Sequence, residues 1–511
     1  MNSELTVAVH CLLYLDSKED RMANSEQIAC SVATHPARVR KVLSLLRRHD
    51  LVTTKEGARG GYLLKCELSQ VTLGDLYRIF AQGSLHPNWC SGSEHSSCNI
   101  SSNIPAVMNQ IYSGAEKQVE MFFDRLPLSE VKQMLDEFEK EKEEKSVSKE
   151  AGPNWHFFVG SYADRGEPGI YLCELQRDTG EMRVIHETAG LTNPSFVTFD
   201  AKGMRLYAVS EQTEGQVAGF AVDPKDGKLT MLHSERATHG ADPCHLALKC
   251  GRDPFLLVAN YSSGHVNAFA LEADGSLGEM TALIRHEGSS VNQERQESAH
   301  AHSIVPSHDG RFAFVSDLGT DQIVIYRLEC GRLVKHRVTH LPPGTGPRHF
   351  VLHPSERFAY GMNELNNTMT AYTFDPVEGR LEAIQHVSSL PDDFRGENYP
   401  ADIHFSPDGR YVYGSNRGHD SIVRFRIDRH TGRLEDPEWT SVGGSWPRNF
   451  AVLDDYVLVA NQYSGNIAAL RRDPESGSLT PAVHSLSISK PSCIEPLPAD
   501  FAVGKQPAGS M

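Results

Sequence analysis

The sequence contains no uninterrupted run of eighteen apolar residues, and this absence argues against a membrane-spanning helix. The opening residues, MNSELTVAVHCLLYLDSKEDR, lack a basic segment and a small-residue cleavage site, so we expect no secretory signal. Cysteine is also scarce: ten irregularly spaced residues in a chain of 511 do not favour a disulfide framework. We therefore expect a cytoplasmic protein with free thiols and no membrane partner.

Basic residues are fewer than acidic ones, so the formal net charge is −16. This balance argues against a protein whose whole surface binds nucleic acid. Residues 36–65 are the exception, with eight basic and two acidic side chains and hence a local excess of six positive charges. Such an island suits contact with phosphates, and it suits a solvated helix face equally well.

The elements around this basic island follow the order of a winged helix-turn-helix. Helical patterns cover residues 3–16 and the segment after Asn24 and Ser25, and a third helix follows Thr34 in HPARVRKVLSLLRRHDL. The glycines of TTKEGARGGYLL then permit a tight hairpin. A helix, a turn, a basic helix and a glycine-tipped hairpin predict a DNA-binding module.

The run ARGGYLL, which follows LLRRHDLV and precedes VTLGDLYRIF, resembles the Rrf2 family of bacterial regulators over about residues 1–138. The resemblance implies that the third helix enters the major groove of double-stranded DNA and that the wing contacts the minor groove. The residues that it places against DNA are Arg38, Arg40 and Lys41 on the helix and Arg59 at the wing tip. The two helical arginines could contact base edges and the lysine a phosphate; the alternative is that all are solvated.

The same resemblance bears on the helix that follows the DNA-binding elements. The apolar stretch of residues 108–126, with Ile111, Ala115, Val119 and Phe122 at helical spacing, would be a dimerisation helix, or else a core helix within one chain.

Some Rrf2 members hold a [2Fe–2S] cluster on clustered cysteines. This chain has only Cys90 and Cys98, with His95 between them. A cluster or a zinc ion usually takes four ligands, so His86 or a second chain would have to contribute. A redox-sensing thiol and cysteines without a special role are the alternatives.

Repeats dominate the chain after the charged segment EKEKEEKSVSKEAGPN. A short apolar strand ending in a small or polar residue occurs seven times: FFVGSY, LYAVSE, LLVANY, AFVSDL, AYGMNE, VYGSNR and VLVANQ. A second strand with an Asp/Gly turn follows every copy. A third element precedes every copy except the first, as in NPSFVTFD and GPRHFVLH, and its seventh copy, KPSCIEPL (490–497), lies near the end of the chain.

This offset predicts that the last strand joins the first sheet, because a ring of sheets has no free edge only when it closes on itself. The fold class predicted is therefore multidomain: an α-rich winged helix-turn-helix followed by an all-β seven-bladed propeller closed by the C-terminal strand. The expected boundaries are a DNA-binding domain at 1–138, a charged linker at 139–154, a propeller at 155–498 and a flexible tail at 499–511.

The segments ESAHAHS, GPRHF, NEL, GENYPADIHFSPDGRYVYGSNRGHDSI and WPRNF together resemble the lactonase family of propellers typified by 6-phosphogluconolactonase, across about residues 150–497. That family hydrolyses a sugar lactone, and a relative with the same fold catalyses a muconate lactonisation. The resemblance implies a carboxylic ester hydrolase that needs no cofactor for its propeller chemistry.

Lactone hydrolysis needs a base that activates water and donors for the tetrahedral oxyanion, and an acidic sugar needs guanidinium groups. We expect Glu364 or His300 to be the base, with Arg348 and Arg417 holding anionic groups and polarising the carbonyl. The expected substrate-binding residues are His302, Asn416, Arg448 and Asn449. Alternatively, arginine and asparagine tie one blade to the next, and histidine caps a strand turn.

Motifs for serine acyl transfer, nucleotide binding and zinc proteolysis are missing from the sequence. The leading hypothesis is a bifunctional fusion of a transcriptional regulator with a lactonase. A non-catalytic propeller that senses a ligand or serves as a scaffold for the regulator, a muconate-type cycloisomerase and an accidental gene fusion remain the alternatives.

Overall fold

The computed structural model describes residues 3–18, 20–32, 34–55, 57, 60–84, 91, 98–135, 154–249, 254–329, 331–481, 484–499 and 501. The chain divides into two compact units, Met1–Glu150 and Ala151–Met511. Of the predicted linker at 139–154 only Asn154 is described, and of the predicted tail at 499–511 only Ala499 and Phe501. None of the helices in the described part of the chain combines the length and the apolar character that crossing a membrane requires.

The first unit is mainly helical, with one small sheet in the order β1-β3-β2. Its elements are α1 (Ser3–Asp16), β1 (Met22–Ala23), α2 (Ser25–Val32), α3 (Pro36–Arg48), β2 (Val52–Lys55), β3 (Gly61–Leu64), a 3₁₀ turn (Leu68–Gln70), α4 (Leu73–Phe80) and α5 (Asn99–Phe123).

Local sequence explains where these helices begin. Helix α3 begins at Pro36, whose missing N–H is not needed in a first turn, and the His35 ring accepts a hydrogen bond from the Ala37 amide. Helix α4 begins with a reciprocal capping box between Thr72 and Asp75. Strands β2 and β3 pair as an antiparallel hairpin directly after α3.

Helix α5 has two unlike faces. Val119 and Phe123 pack against the core of the unit, and buried Glu116 accepts a hydrogen bond of 2.8 Å from the Tyr77 hydroxyl. On the other face Ile111 and Phe122 are 55% and 62% exposed. The apolar stretch identified in the sequence is therefore partly a core helix and partly an uncovered surface.

In its described residues the second unit contains seven antiparallel sheets of four or five strands. Its strands are β4 (Trp155–Ser161), β5 (Ile170–Leu175), β6 (Met182–Thr188), β7 (Val197–Asp200), β8 (Arg205–Ser210), β9 (Gln216–Val222), β10 (Leu229–Met231), β11 (Arg236–Ala237), β12 (Pro243–Lys249), β13 (Phe255–Asn260), β14 (His265–Leu271), β15 (Leu277–Arg285), β16 (Ala301–Pro306), β17 (Phe312–Asp317), β18 (Gln322–Glu329), β19 (Arg332–His340), β20 (Pro347–Leu352), β21 (Phe358–Asn363), β22 (Thr368–Asp375), β23 (Arg380–Ser388), β24 (Tyr399–Phe405), β25 (Tyr411–Arg417), β26 (Ser421–Ile427), β27 (Leu434–Ser441), β28 (Pro447–Val452), β29 (Tyr456–Asn461), β30 (Asn466–Arg472), β31 (Leu479–Thr480), β32 (Ser485–Ser487) and β33 (Pro491–Pro496).

The first strands of the sheets, here called the inner strands, are β33, β7, β12, β16, β20, β24 and β28. Each inner strand contacts the next, and β33 contacts both β7 and β28. The second strand of each sheet is almost entirely buried, and β21 is buried along its whole length. Side chains of neighbouring sheets pack together, as Phe314 and Phe350 do with ring centroids 5.1 Å apart.

The C-terminal strand β33 pairs with β4, the first strand of the propeller unit, as the displaced repeat predicts. Ile494 lies opposite Val159, and Cys493 lies opposite Gly160. The Ile494 amide also donates a hydrogen bond of 2.6 Å to the Asn449 side chain on β28. One sheet thus contains strands from both ends of this unit.

A glycine in a turn allows two neighbouring sheets to approach closely. Gly432 lies at a φ of +71° in the turn before β27, and a Cβ there would overlap the ring of Phe358 in the preceding sheet. Only glycine satisfies both the backbone conformation and the space.

Ile494→Ala should lower the free energy of unfolding by about 2–5 kcal/mol, because the buried side chain packs between two sheets and its removal leaves a cavity. Urea denaturation of the full chain measures this change. Val377→Ala is the matched control, since Val377 is 72% exposed. Equal stabilities of the two variants would show that β33 does not hold the sheets together.

Candidate active site

A cavity of about 340 Å³ lies where the ends of several sheets meet. Its lining residues are Tyr162, Glu211, Cys244, Tyr261, Arg295, His302, Glu364, Arg417 and Arg448. Most of them stand at equivalent places in the repeat: Tyr162, Glu211, Tyr261 and Glu364 each follow a second strand directly, and Arg417 ends one. The repeat itself therefore gathers polar side chains from different sheets around one opening.

Glu364 is the most heavily paired group of the cavity. Its Oε2 lies 2.7 Å from Nη2 of Arg417 and 3.1 Å from Nε of Arg348, and its Oε1 accepts a hydrogen bond from Arg295. Burial would raise the pKa of this carboxyl, but the charges of Arg417, Arg348 and Arg295 outweigh it and lower the pKa to about 2. Glu364 is therefore a permanent anion that organises three guanidinium groups.

This arrangement does not fit the expected role of Glu364 as a general base. A base must accept a proton near the working pH, and a carboxyl with a pKa of about 2 is too weak to do so. Both of its oxygens are also already engaged by arginine donors.

Two of the three arginines are themselves fixed by backbone carbonyls. Arg348 donates through Nη1 to the Ala401 carbonyl at 2.8 Å, and Arg417 donates through Nε to the Tyr399 carbonyl at 2.9 Å. Burial, with Arg417 and Arg448 nearby, lowers the pKa of Arg348 to about 9, so it remains charged at neutral pH. Arg417 also lies against the ring of Trp446, at 5.3 Å from its centroid. Arg348 does not itself line the cavity, but it contacts Glu364, which does.

Arg448 differs from the other guanidinium groups. It lies over the ring of Tyr162, 5.4 Å from the centroid, and among the described residues its side chain has no hydrogen-bond or ion-pair partner. Tyr162 and Glu211 are close enough to raise its pKa, although burial acts in the opposite direction. A charged fork without a partner in a cavity is suited to a bidentate anionic ligand.

Glu211 stands on the same cavity, and our sequence analysis missed it. Both of its oxygens lie 2.9 Å from the Tyr162 hydroxyl, and the Ser195 hydroxyl donates to Oε2. Its signal was present in the repeats, because LYAVSE and AYGMNE place Glu211 and Glu364 at the same position of two copies.

His302 lines the cavity as expected, whereas His300 does not. Burial and the positive charge of Arg348 hold the pKa of His302 well below its usual range, so its ring is neutral. His300 stacks on Tyr261, and its two ring nitrogens lie 3.1 Å from the Tyr261 carbonyl and 3.1 Å from a Glu297 oxygen. The expected role of His300 as a base does not fit this geometry, since neither nitrogen faces the cavity with a free lone pair.

The two predicted asparagines also do not line the cavity. Asn416 is fully buried and exchanges hydrogen bonds with Ser389 on the neighbouring sheet. Asn449 donates to Asp402 at 2.6 Å and accepts from the Ile494 amide. A substrate-binding role for either does not fit these contacts, because their amide groups already join one sheet to another.

Asp402 is the centre of a buried polar network along the inner strands. His349 Nδ1 lies 2.6 Å from one of its oxygens, and His404 Nε2 lies 2.8 Å from the other. Burial raises the pKa of Asp402, but His404, His349 and hydrogen bonds hold it well below the usual range. Asp402 thus ties β20, β24 and β28 together.

In the first unit, the predicted DNA-contacting residues Arg38, Arg40 and Lys41 are exposed on α3. Arg40 lies 3.3 Å from a Glu26 oxygen, and Lys41 lies 2.6 Å from a Glu4 oxygen. Such exposed pairs are weak, so they leave the side chains available to a stronger anion. Arg59 lies outside the described residues.

Of the residues considered for an iron or zinc site, only Cys98 lies in the described part of the chain. Cys90, His86 and His95 lie outside the described residues, and Cys98 is exposed at the start of α5. The amides of Ser101 and Ile100 lower the pKa of the Cys98 thiol. Across the described residues, no group of three or more His, Cys, Asp or Glu side chains is arranged to hold a metal ion.

Comparison with known proteins matches the two parts of the chain to two families. Residues 156–496 match the family model described as "Lactonase, 7-bladed beta-propeller", and residues 1–133 match Rrf2, described as "Iron-dependent Transcriptional regulator". A 6-phosphogluconolactonase of Bacillus subtilis is 36% identical over 344 residues, which cover 66% of this chain and 97% of that protein. A 6-phosphogluconolactonase of Formosa agariphila is 33% identical over 355 residues, which cover 66% and 98%. The structure of the Pseudomonas aeruginosa periplasmic gluconolactonase PpgL superposes with a TM-score of 0.64 at 32% identity, covering 68% of this chain and 99% of that one.

Glu364→Gln should make the protein less stable than wild type at neutral pH, because it leaves three guanidinium groups without their anion. The pKa of Glu364 falls from 4.5 to about 2 on folding, so its stabilisation is present above about pH 4.5 and is lost as the pH falls toward 2. The stability difference should therefore narrow over that range in urea denaturation. Glu294→Gln, at an exposed position, is the control; a difference independent of pH would contradict this account.

Proposed function

Because the chain belongs to the lactonase family of seven-bladed β-propellers, we propose that its C-terminal unit hydrolyses the ester bond of a sugar lactone that carries an anionic group. The relatives named 6-phosphogluconolactonase make 6-phosphogluconolactone the first substrate to test. The observation that carries the proposal is the cavity in which Arg448 forms no ion pair with a described carboxylate and Arg417 and Arg295 flank Glu364.

The charges and contacts of the arginines that line this cavity indicate a different role for each. The lining includes three arginines and two glutamates, so positive charge exceeds negative charge before a ligand enters. Arg448, which no described carboxylate neutralises directly, suits the phosphate or carboxylate of the substrate. Arg417 is held rigidly by Glu364 and the Tyr399 carbonyl.

The reaction follows from these positions. Water adds to the lactone carbonyl carbon, and the carbonyl oxygen becomes an oxyanion in the tetrahedral intermediate. A guanidinium group that is already oriented stabilises this developing charge without having to reorganise. We assign that role to Arg417, with Arg348 supporting it through their shared partner Glu364. No metal or cofactor is needed for these steps.

The closed ring is part of the same proposal. We infer that pairing of β33 with β4 completes a seven-bladed propeller, since the inner strands contact one another in cyclic order. Completion of the ring would hold Tyr162, which follows β4, against Arg448 of the last sheet.

For the first unit we propose a winged helix-turn-helix that binds double-stranded DNA, with α3 in the major groove and the β2–β3 hairpin as the wing. The exposed basic residues of α3 and the match to Rrf2 support this proposal. We further propose that the uncovered face of α5, with Ile111 and Phe122, contacts a second copy of the chain. The protein would then be a bifunctional fusion of a regulator and a lactonase.

Wild-type protein should open 6-phosphogluconolactone faster than buffer does, and Arg448→Ala should lower kcat/KM by about 10- to 100-fold through a higher KM, since a charge-assisted pair is lost. The loss should be smaller for glucono-δ-lactone, which lacks the phosphate. Arg448→Lys should retain part of the affinity, because it keeps the charge without the fork.

Arg433→Ala, at an exposed position, is the control for a general charge effect. Equal losses on both lactones would rule out Arg448 as the anion-binding residue. A wild-type protein that binds the sugar phosphate without turnover, and whose DNA affinity then changes, would favour a ligand-sensing propeller over an enzyme.

Arg38→Ala should weaken binding to a pool of duplexes of randomised sequence and reduce the dependence of affinity on salt, because one phosphate or base contact is removed. Fluorescence anisotropy at several salt concentrations measures both effects. Arg125→Ala removes the same charge from an exposed position near the end of α5 and is the matched control. Equal affinities of the two variants would argue against α3 as the DNA-binding helix.

A further inference from the structure

The active-site cavity contains two carboxylates in unlike surroundings. Glu364 and Glu211 both line it, and each follows the second strand of its own sheet. Where two acids share a site, differences in their environment divide the chemical roles between them. The contacts of the two side chains are therefore the evidence that assigns the base.

Glu364 has no capacity left for proton transfer. Arg295 binds one of its oxygens, and Arg417 and Arg348 bind the other. Accepting a proton there would leave three buried or half-buried guanidinium groups facing a neutral acid. The pKa of Glu364, about 2, reflects the same energetic cost of protonating this carboxylate.

Glu211 has neutral partners instead. Its oxygens accept hydrogen bonds from the hydroxyls of Tyr162 and Ser195, and no described arginine or lysine forms an ion pair with it. Burial raises the pKa of Tyr162, so the phenol stays protonated and continues to donate. The half-buried carboxylate is thus oriented by two hydroxyls and remains free to accept a proton.

We propose that Glu211 is the general base of this cavity, taking a proton from the water that attacks the lactone carbonyl. This inference rests on the proposed lactone hydrolysis. Tyr162 and Ser195 are positioning residues, which hold the carboxylate toward the cavity. Glu364 acts only through the arginines that it aligns.

The proton balance of the reaction is complete with these groups. The water oxygen forms a bond to the carbonyl carbon while one water proton moves to Glu211, and the carbonyl electron pair moves onto the oxygen. When the tetrahedral intermediate collapses, the ring C–O bond breaks and Glu211 returns its proton to the departing alkoxide. The products are a hydroxyl and a carboxylic acid, which loses its own proton to solvent.

Glu211→Gln tests this role with little change of shape, because the amide oxygen can still accept from Tyr162. In the full chain we expect kcat on 6-phosphogluconolactone to fall by about 10²- to 10⁴-fold with KM changed only a few fold. Glu214→Gln, three residues later and exposed, should match wild type.

Glu211→Ala with added sodium formate separates catalysis from positioning. Formate that enters the space left by the Glu211 side chain should raise the rate of Glu211→Ala at least tenfold. It should not change the rate of Glu214→Gln. Thermal unfolding of each variant checks that the fold is intact.

The outcomes are distinct. If wild type opens the lactone and Glu211→Gln does so equally fast, or if folded Glu211→Ala is inactive and formate does not restore it, then Glu211 is not the base. If wild type itself does not open any lactone faster than buffer, the proposed function fails before the question of the base arises.

Discussion

The pairing of the C-terminal strand with the first strand of the propeller unit is the constraint on which the candidate active site depends. Ile494 lies opposite Val159, and its amide also binds Asn449 in the neighbouring sheet. Without this strand, the sheet that carries Tyr162 would lack its inner edge. The wall formed by Tyr162, Arg448 and Glu211 draws on sheets from the beginning and the end of the unit, so it exists only when those ends are joined.

The cavity brings several positively charged side chains together in a buried place, where they are only partly neutralised. Three guanidinium groups gathered around one carboxylate would repel one another, and Glu364 compensates by sharing its two oxygens among them. The remaining guanidinium, Arg448, interacts with an aromatic ring and has no described anion bound to it. Positive charge is therefore present in the site but only partly neutralised, which is the condition that favours a negatively charged ligand over a neutral one.

The sequence predicted the fold well because the evidence for it was repeated. Seven copies of one strand pattern, and a third element displaced to the end of the chain, predicted both the sheets and the pairing of the two ends. Glu364, Arg417, His302 and Arg448 could be identified because they stand near the ends of repeated strands, where the sheets meet.

Roles were harder to predict than positions, because they depend on contacts between distant segments. Nothing local in NEL shows that Glu364 faces three arginines, and nothing in VYGSNR shows that Asn416 is bound to Ser389. Asp402 was missed although it lies two residues after Pro400, just as His349 lies two residues after Pro347. The sequence does not show that Asp402 contacts both His349 and His404.

The neighbouring ends of the propeller unit have a consequence for how its chain can be rearranged. Pro496 lies opposite Phe157, and the Leu497 amide donates to the His156 carbonyl, so entry and exit are adjacent along one sheet. The cavity residue Tyr162 lies at the other end of that same strand. A circularly permuted chain, with these ends linked and a new opening cut in an exposed turn such as that around Val377, would keep every sheet and every residue of the cavity in place.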